Sequence, residues 1–452
     1  MAGENTGQLY TPEHHSGRLD QRLNSTNYIH PQETNLLNLH KAMEYNDQGQ
    51  PCLRTTSGAS PATNDAFGRL RVSNPYTFFE NFTLYNETGK FVNNTANGGT
   101  VAINTNAGLI EQAVTTISGS RAYRETVKVF AYQPGKSLMV LESFVFAPAQ
   151  TNLRQRIGYF DVSNGIYCEL ENDTLYFVIR SKVTGSVVET RVSQANWNID
   201  SLNGTGVSTL TLDITKSQIL YVDLEWLGVG TVRCGFVIDG QFILAHKFQH
   251  ANVISSTYMT TACLPVRTEI ENIGVTAAAS TMKSICATVV SEGGYSLIGR
   301  PLSIGHPIST PYTLSTKDTL YPVLALRLKA GRNNAIVLPN DFSIGVSANA
   351  NFRFQLIHRA VTSGGTWISA GAQSSVEYNL SAATITNGTI MEQGYIMATN
   401  QSSAAPSMAA FPFQYQLERD SFSGTMYEFV IAVECSVNTT PCYVSINWEE
   451  VT

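Results

Sequence analysis

Two carboxylates in one predicted strand come nearest to a catalytic arrangement in this chain. Asp223 and Glu225 are two positions apart in a run that alternates apolar and polar residues. Residues two apart on a strand point to the same face, about 7 Å from each other. A glycosidase needs two carboxyl groups facing one cleft at about this separation. A solvated strand face has the same pattern, and because the sequence shows no cleft, it favours the solvated face.

Histidines occur in pairs, but their spacing does not indicate a metal site. His246 and His250 are four positions apart, which places two ligands on one face of a helix, whereas the surrounding sequence alternates like a strand. We therefore expect His246 to be a core or edge histidine. His14 and His15 lie in a polar N-terminal stretch and are most simply a solvated pair.

A short polar run resembles half of a calcium-binding loop. Its residues are Asp161, Ser163, Asn164 and Gly165. The glutamate that completes such a loop is missing at the required spacing, so a turn is the better interpretation. The sequence also lacks the common zinc-protease, serine-hydrolase, phosphate-binding and dinucleotide-binding motifs. It therefore predicts a protein that is not an enzyme, with no catalytic residue, no metal and no cofactor.

One tryptophan is a candidate for carbohydrate binding. Trp197 lies between Asn196 and Asn198, and an exposed aromatic ring can stack on a sugar while neighbouring amides form hydrogen bonds to it. A tryptophan buried in a sandwich core is the commoner outcome for such a sequence. Carbohydrate binding at these three residues therefore stays an alternative hypothesis.

The elements that must position these residues are short β-strands. From 61 to about 295, apolar and polar residues alternate over short runs separated by Asn, Asp and Gly. In the clearest run, Leu220, Val222 and Leu224 share one face. Asp239-Gly240 then separates two such runs, which predicts a type I′ hairpin because that turn requires positive φ at both residues. The strand after it is expected to carry Phe242, Leu244, His246 and Phe248.

This hairpin region is similar to the central strands of concanavalin-like and laminin-G-like jelly rolls. The resemblance is carried by the turn at Gly228 to Gly230 and by Phe236-Val-Ile-Asp-Gly-Gln-Phe242. It implies a two-sheet sandwich, a fold shared by lectins, glycosidases and inert structural modules. A function does not follow from it.

Composition divides the chain into four predicted segments of an all-β protein. Residues 1–60 are polar and lack sustained apolar periodicity, which predicts an extended N-terminal arm. Residues 61–295 are the jelly roll, 296–319 are a linker rich in Gly, Pro and Ser, and 320–452 are a smaller C-terminal β-sandwich.

Charge and cysteine content exclude several classes of protein. Charged residues make up 14% of the chain and the net charge is −6, which argues against nucleic-acid binding because such proteins need a basic surface. The seven cysteines include no close pair, so we expect free thiols and folding in a reducing cytoplasm, with Cys435 and Cys442 open to pairing across a hairpin. No signal peptide and no apolar run of the ~18 residues that a membrane span needs is present, so we expect a soluble protein.

The most specific run of the chain is Asp-Ala-Phe-Gly-Arg-Leu-Arg-Val-Ser-Asn-Pro at 65–75. Placed after a polar N-terminus, it resembles a segment of tailed-bacteriophage virion structural proteins, and the resemblance continues more loosely to about 295. It implies a component of the particle: a capsid decoration or fibre, a neck appendage, or part of the tail. The implied partners are other virion proteins and copies of the chain itself, with a trimer as the family-type expectation, after assembly in the host cytoplasm.

Five residues of this region are candidates for a subunit interface. Arg69 and Arg71 share one face of a short predicted strand and could hold a neighbouring subunit through bidentate hydrogen bonds. Phe67, Phe78 and Phe79 are the expected packing anchors. A solvated basic face has equal weight on pattern alone. The main hypothesis for function is a non-enzymatic virion structural protein. The alternative is a carbohydrate-binding adsorption protein that binds a host surface glycan. A glycosidase is less favoured.

Overall fold

The computed structural model describes residues 43–45, 51–53, 65–66, 74–85, 89–296, 298–346, 348–399, 402–404 and 412–451. The chain divides into two compact units, Met1–Ala59 and Ser60–Thr452. In the first unit, β1 (Met43–Tyr45) and β2 (Pro51–Leu53) form an antiparallel pair. The rest of the predicted arm, including His14 and His15, lies outside the described residues.

The second unit is all-β, as the sequence predicts, and begins with a jelly-roll sandwich. Its strands are β3 (Tyr76–Phe82), β4 (Phe91–Ala96), β5 (Thr100–Asn104), β6 (Leu109–Val114), β7 (Arg121–Thr126), β8 (Leu138–Val145), β9 (Leu153–Phe160), β10 (Gly165–Glu171), β11 (Thr174–Ser181), β12 (Val188–Ser193), β13 (Gln218–Leu224), β14 (Val232–Ile238), β15 (Gln241–Phe248), β16 (Val266–Asn272) and β17 (Ser280–Ser291). Sheet 1 has the order β12-β11-β10-β9-β16-β7-β4, and sheet 2 has the order β15-β14-β13-β8-β17-β6-β5 with β3 also paired to β17. A single 3-10 turn, Gln194–Asn196, follows β12.

Alternation along the strands produces the core between the two sheets. Leu220, Val222 and Leu224 of β13 are buried in this core, because successive side chains of a strand point to opposite faces. On β8, Glu142 falls between inward-facing apolar residues and is only 3% exposed. Its Oε1 has no hydrogen-bond partner among the described residues, and burial raises the pKa of its carboxyl well above the usual range.

The hairpin between β14 and β15 confirms the predicted turn and corrects the predicted strand. Asp239 and Gly240 both have positive φ, 51° and 74°, as a type I′ turn requires. However, a bulge opposite Cys234 shifts the register of β15. As a result Ala245 is buried in the core, while Phe242 packs against Tyr221 of the outer face. The four residues expected on one face are therefore divided between two, as bulges generally do.

The C-terminal half is a second antiparallel sandwich. Its strands are β18 (Arg300–Gly305), β19 (Tyr312–Leu314), β20 (Tyr321–Leu328), β21 (Ile336–Val346), β22 (Asn349–Ser363), β23 (Ile368–Ser369), β24 (Val376–Asn379), β25 (Thr384–Thr386), β26 (Thr389–Thr399), β27 (Ser402–Ala404), β28 (Arg419–Asp420), β29 (Thr425–Met426), β30 (Glu428–Cys435) and β31 (Thr440–Val451), with a 3-10 turn at Pro412–Tyr415. Sheet 3 has the order β18-β31-β21-β27, with β19 also on β31; sheet 4 has the order β23-β24-β20-β30-β22-β25, with β26 on β22. Both β18 and β19 come from the predicted 296–319 linker, so part of that linker is strand in sheet 3.

Apolar and polar contacts join the two sandwiches into one unit. Val129 and Ala131 of the jelly roll pack against Ile336 and Leu338 of β21, and all four are almost fully buried. Beside them, the main chain of 417–419 runs along both halves, because Arg419 N donates to Val127 O at 3.1 Å while Leu417 N donates to Val337 O at 3.0 Å. This contact positions the groups of the site described next.

The cysteines from Cys168 to Cys442 are free thiols, including Cys435 and Cys442. Cys435 Sγ lies 3.5 Å from the hydroxyl of Thr440, to which it donates a weak hydrogen bond. Among the described residues, no helix has the length and apolar character needed to cross a bilayer.

Candidate functional site

The carboxylates singled out for glycosidase chemistry do not face a cleft together. Asp223 is fully buried on the outer face of sheet 2, where it pairs with the guanidinium of Arg233 and accepts a hydrogen bond from Ser137 Oγ at 2.6 Å. Glu225 lies beyond the end of β13 and its Oε1 accepts a hydrogen bond from Thr231 N at 2.9 Å. Each carboxylate is therefore held by the protein itself, so the solvated face expected for Asp223 is wrong as well.

Trp197 belongs to the core of the jelly roll. Its ring is 6% exposed and stacks on Phe177 with centroids 4.5 Å apart, while its Nε1 donates to Val192 O at 3.2 Å. A ring covered in this way cannot stack on a sugar. Asn196 and Asn198 are exposed, but Asn198 exchanges hydrogen bonds with the main chain of Lys247. The structure therefore does not assemble the predicted carbohydrate site.

The remaining polar candidates are structural. His246 is 5% exposed and its Nδ1 accepts a hydrogen bond from Asn198 N at 3.2 Å, and burial lowers its pKa to about 4. His250 stacks on Tyr258 at 4.0 Å. Asp161 Oδ1 accepts hydrogen bonds from the main-chain nitrogens of 163 and 164, and its Oδ2 accepts one from Asn334. These oxygens close a turn, and no metal-ligand cluster occurs among the described residues.

The predicted interface residues are only partly described. Phe67, Arg69 and Arg71 lie outside the described residues. Phe78 is half-buried on β3 against Tyr295, with ring centroids 5.1 Å apart. Phe79 is 9% exposed and packs into the jelly-roll core. The anchoring role of Phe79 is therefore within this chain.

The main polar feature of the jelly roll is a ladder of alternating charges across the outer face of sheet 1. Arg156 Nε donates to Glu169 Oε2 at 2.6 Å, and its Nη1 donates to Glu269 Oε2 at 3.0 Å. Arg267 continues the ladder with contacts to Glu269 at 2.7 Å and Glu125 at 2.5 Å. In strand order, the charge ladder consists of Arg191, Glu169, Arg156, Glu269, Arg267 and Glu125.

Mutual neutralisation keeps the charge ladder ionised despite its burial. Burial alone raises the pKa of Glu269, but the guanidinium groups of Arg267, Arg156 and Arg180 outweigh it and hold the pKa at about 2. Burial likewise lowers the pKa of Arg156, and the neighbouring carboxylates outweigh this and raise it. Buried charges are tolerated only when paired and hydrogen-bonded in this way.

The charge ladder ends on a residue of the second sandwich. Arg419 of β28 is 1% exposed, and its Nη2 donates to Glu125 Oε1 at 2.9 Å. Its other donors reach the main-chain oxygens of Thr126, at 2.6 Å, and Asn333, at 2.9 Å. Arg419 thus connects a carboxylate of sheet 1, the end of β7 and the start of β21.

Sequence reasoning missed the charge ladder, although a signal was present. Charged residues recur two apart in three separate strands, in Arg154-Gln-Arg, Glu169-Leu-Glu and Arg267-Thr-Glu-Ile-Glu. When charged residues at every second position share one face of a strand, and a neighbouring strand carries charges of the opposite sign, the pattern predicts ion pairs between the strands. Charged residues make up only 14% of the chain, so the total charge does not reveal this concentration.

A cleft of about 470 Å³ lies between the two sandwiches. On the jelly-roll side it is lined by β3 and the segment after β7, and on the other side by β22 and the segment before β28. Glu418 lines this cleft. Arg359 Nε donates to Glu418 Oε2 at 2.6 Å, while Lys128 Nζ and His358 Nδ1 lie 3.8 and 3.9 Å from Oε1. Lys90, next to Gly89, lines the jelly-roll wall. One carboxylate is therefore approached by two cations and an imidazole.

The backbone is strained at this cleft. Arg359 has φ of 56° at a bulge between His358 and Ala360 in β22, a conformation that is uncommon for residues other than glycine. Its Nη2 donates to Gly89 O, and its guanidinium lies 5.1 Å from the ring of Tyr427. Such strain is found preferentially at functional sites and persists only where surrounding contacts hold it.

The cleft also shifts the protonation of its lining groups. Burial lowers the pKa of Lys128, opposed by Glu418, and the charges of Arg359 and Lys90 lower it further. Burial lowers the pKa of His358 to about 4, against the attraction of Glu418. His358 is consequently neutral at pH 7.

Comparisons with known proteins give no assignment. No protein-family model matches the chain, and no curated protein matches it. Solved structures that it resembles include a protein of unknown function from Shewanella oneidensis MR-1, at 10% identity over 61% of this chain and 100% of that chain, with a TM-score of 0.33.

Two others carry carbohydrate-related names. The Emp47p carbohydrate recognition domain is 10% identical over 49% of this chain and 98% of that chain, with a TM-score of 0.30. A carbohydrate esterase from Shiga toxin-encoding bacteriophage phi24B is 12% identical over 48% of this chain and 99% of that chain, with a TM-score of 0.29. Likeness at this level says nothing about a ligand or a reaction.

Proposed function

We propose that this protein is a non-enzymatic structural component of a tailed-bacteriophage particle. The observation that carries the proposal is the use of its buried charges as internal connections. The charge ladder crosses sheet 1 and ends on Arg419 of the second sandwich. Chains of paired buried charges and shared apolar packing hold two sandwiches in one arrangement, which suits a subunit that keeps its shape within an assembly.

The residues named for the competing functions are engaged within the protein. A glycosidase requires two carboxyl groups free to act on a substrate, whereas Asp223 is paired with Arg233 and inaccessible. The hypothesis of a carbohydrate-binding adsorption protein depends on Trp197, which is buried in the core. The particle assignment is supported by the resemblance of the 65–75 run, and within the particle it includes capsid decoration, fibre, neck and tail positions.

The experiment tests the arginines of the 65–75 run as a contact to another subunit. A phage lacking this gene is complemented with the Arg69→Ala/Arg71→Ala double variant, with the wild type, or with Arg353→Ala as a matched surface-arginine control. Mass spectrometry of purified particles measures the copies incorporated. We expect the double variant to be incorporated at about a tenth of the wild-type level or less, since each lost bidentate pair is a strong contact, and the control to match the wild type. Wild-type incorporation of the double variant refutes the contact.

A further inference from the structure

The cleft around Glu418 has unused hydrogen-bond donors. Arg359 Nη1 has no hydrogen-bond partner among the described residues, although Nε and Nη2 are both engaged. Lys90 Nζ donates to Glu80 O at 2.6 Å, and that leaves two of its three protons available. His358 is 6% exposed, and its Nε2 also lacks a hydrogen-bond partner in the described part of the chain. The side chain of Arg359 is 28% exposed and Lys90 is also partly exposed, so both can donate to a ligand that enters the cleft.

The charge of the lining favours an anion. Lys90, Lys128 and Arg359 face the cleft together with two carboxylates, Glu80 and Glu418. The lining is thus cationic by one charge in a chain whose net charge is −6. Arg359 and Lys90 also repel the charge of Lys128. A bound anion would relieve that repulsion and accept the unused protons.

Part of the cleft lining is apolar. Phe78, which is half-buried, and Met391, which is exposed, line the cleft together with the buried Phe79, Phe130 and Val127. A volume of about 470 Å³ lies within the range of pockets that hold small organic ligands. An inorganic anion would leave Phe78 and Met391 without contacts, whereas a ring carried by the anion would pack against both side chains.

We propose that the cleft binds a small ring-bearing carboxylate, of which a uronic acid is the representative. Arg359 and Lys90 bind the carboxylate, and the accessible Phe78 and Met391 contact the ring. Arg359 is presented by the strained bulge of β22, and Glu418 fixes its guanidinium through Nε, which directs Nη1 away from that carboxylate. The site lies between the two sandwiches and uses residues from both.

The test titrates the full chain with D-glucuronate by isothermal calorimetry, with D-glucose and acetate as probes of the ring and the charge separately. We expect saturable glucuronate binding, and at least about tenfold weaker binding of both other probes, because each lacks one of the two contacts. No binding of glucuronate overturns the proposal. Equal binding of acetate overturns the role of the ring, and equal binding of glucose overturns the role of the charge.

Variants then place the ligand in this cleft. Lys90→Gln and Arg359→Gln should each weaken glucuronate binding about ten- to a hundredfold, the range for a lost hydrogen bond to a charged group. Arg353→Gln, on the outer face of sheet 4, should leave it unchanged. If Arg359→Gln fails to fold, Lys90→Gln still decides, since the Lys90 side chain is partly exposed and makes one hydrogen bond, to Glu80 O, beside a contact with the Phe79 ring. Unchanged affinity in Lys90→Gln overturns the assignment.

The pH dependence has a defined sign. A bound carboxylate favours the charged form of Lys128, whose Nζ donates to Gln414 O at 3.0 Å, lies 3.8 Å from Glu418 Oε1 and interacts with Lys90, Arg359 and the neutral His358. Binding should therefore weaken as pH rises and Lys128 loses its proton, and Lys128→Met should remove most of that change. Affinity that is flat with pH in the wild type contradicts the model of a cationic cleft. These measurements use the isolated chain, so their outcome is independent of incorporation into particles.

Discussion

Removal of Arg419 is predicted to separate the two sandwiches. Arg419→Ala deletes a hydrogen-bonded contact to Glu125 and leaves the carbonyls of Thr126 and Asn333 without this donor. Breaking a buried ion pair by removing one partner costs about 3–5 kcal/mol. Glu125 keeps Arg267 and Ser421 as partners, so we expect a value near 3 kcal/mol, the lower end of this range.

The assay is urea unfolding followed by tryptophan fluorescence, combined with limited proteolysis. Trp197 reports on the jelly roll and Trp448 on the second sandwich, since both are buried in their own cores. In the wild type we expect one transition. In Arg419→Ala we expect a lower midpoint and two transitions, with cleavage near 414–421. Two transitions would show that the sandwiches no longer unfold as one cooperative unit.

The matched control is Arg353→Ala, which removes an arginine from a pair with Glu434 on the outer face of sheet 4. Its side chain is 36% exposed, and pairs at that exposure contribute about 0–1 kcal/mol. The reasoning is refuted if Arg419→Ala unfolds in one transition and lies within about 1 kcal/mol of Arg353→Ala.

Three further predictions concern the jelly roll. Burial raises the pKa of Glu142 above its unfolded-state value near 4.5, so the folded protein loses stability as pH rises and this carboxyl must lose its proton. The urea midpoint of the wild type should therefore fall above pH 4.5, while that of Glu142→Gln should change less with pH. Equal slopes of the urea midpoint against pH in both proteins would contradict this. Trp197→Ala should lower the unfolding free energy by about 3–5 kcal/mol, measured by urea titration, and a loss below about 1 kcal/mol would show that the ring is not core. Asp223→Asn should destabilise the fold by about 3–5 kcal/mol, because it removes the carboxylate that pairs with the buried Arg233. A viscometric assay should find no polysaccharide cleavage by either the wild type or the variant. Cleavage by the wild type that Asp223→Asn abolishes would restore the glycosidase hypothesis.

Local patterns in the sequence were sufficient for the fold class and for individual hairpins. The type I′ turn at Asp239-Gly240 follows from two residues that tolerate positive φ, and the inward face of β13 follows from alternation alone. The bulge in β15 did not follow, because one extra residue leaves the local composition unchanged while it reverses the faces beyond it. Gly and Pro are frequent in 296–319 and predict a linker, whereas β18 and β19 form there because both pair with β31.

The candidate sites depended on contacts between distant residues, which single-sequence patterns do not contain. Asp223 looked solvated because its strand alternates, and its burial against Arg233 and Ser137 depends on other strands. The cleft joins Lys90 and Lys128 to Arg359 and Glu418, more than 200 positions away in the chain. A sequence offers no signal for such a cluster except the charges themselves.

The most direct test of the proposed function is a three-dimensional map of purified phage particles, with mass spectrometry of the same sample. The account predicts that the chain is present in multiple copies and that the map contains its two-sandwich body in a symmetric oligomer. If particles lack the chain, or if a phage deleted for the gene gives an identical map, the protein is not a virion component and the central claim is wrong.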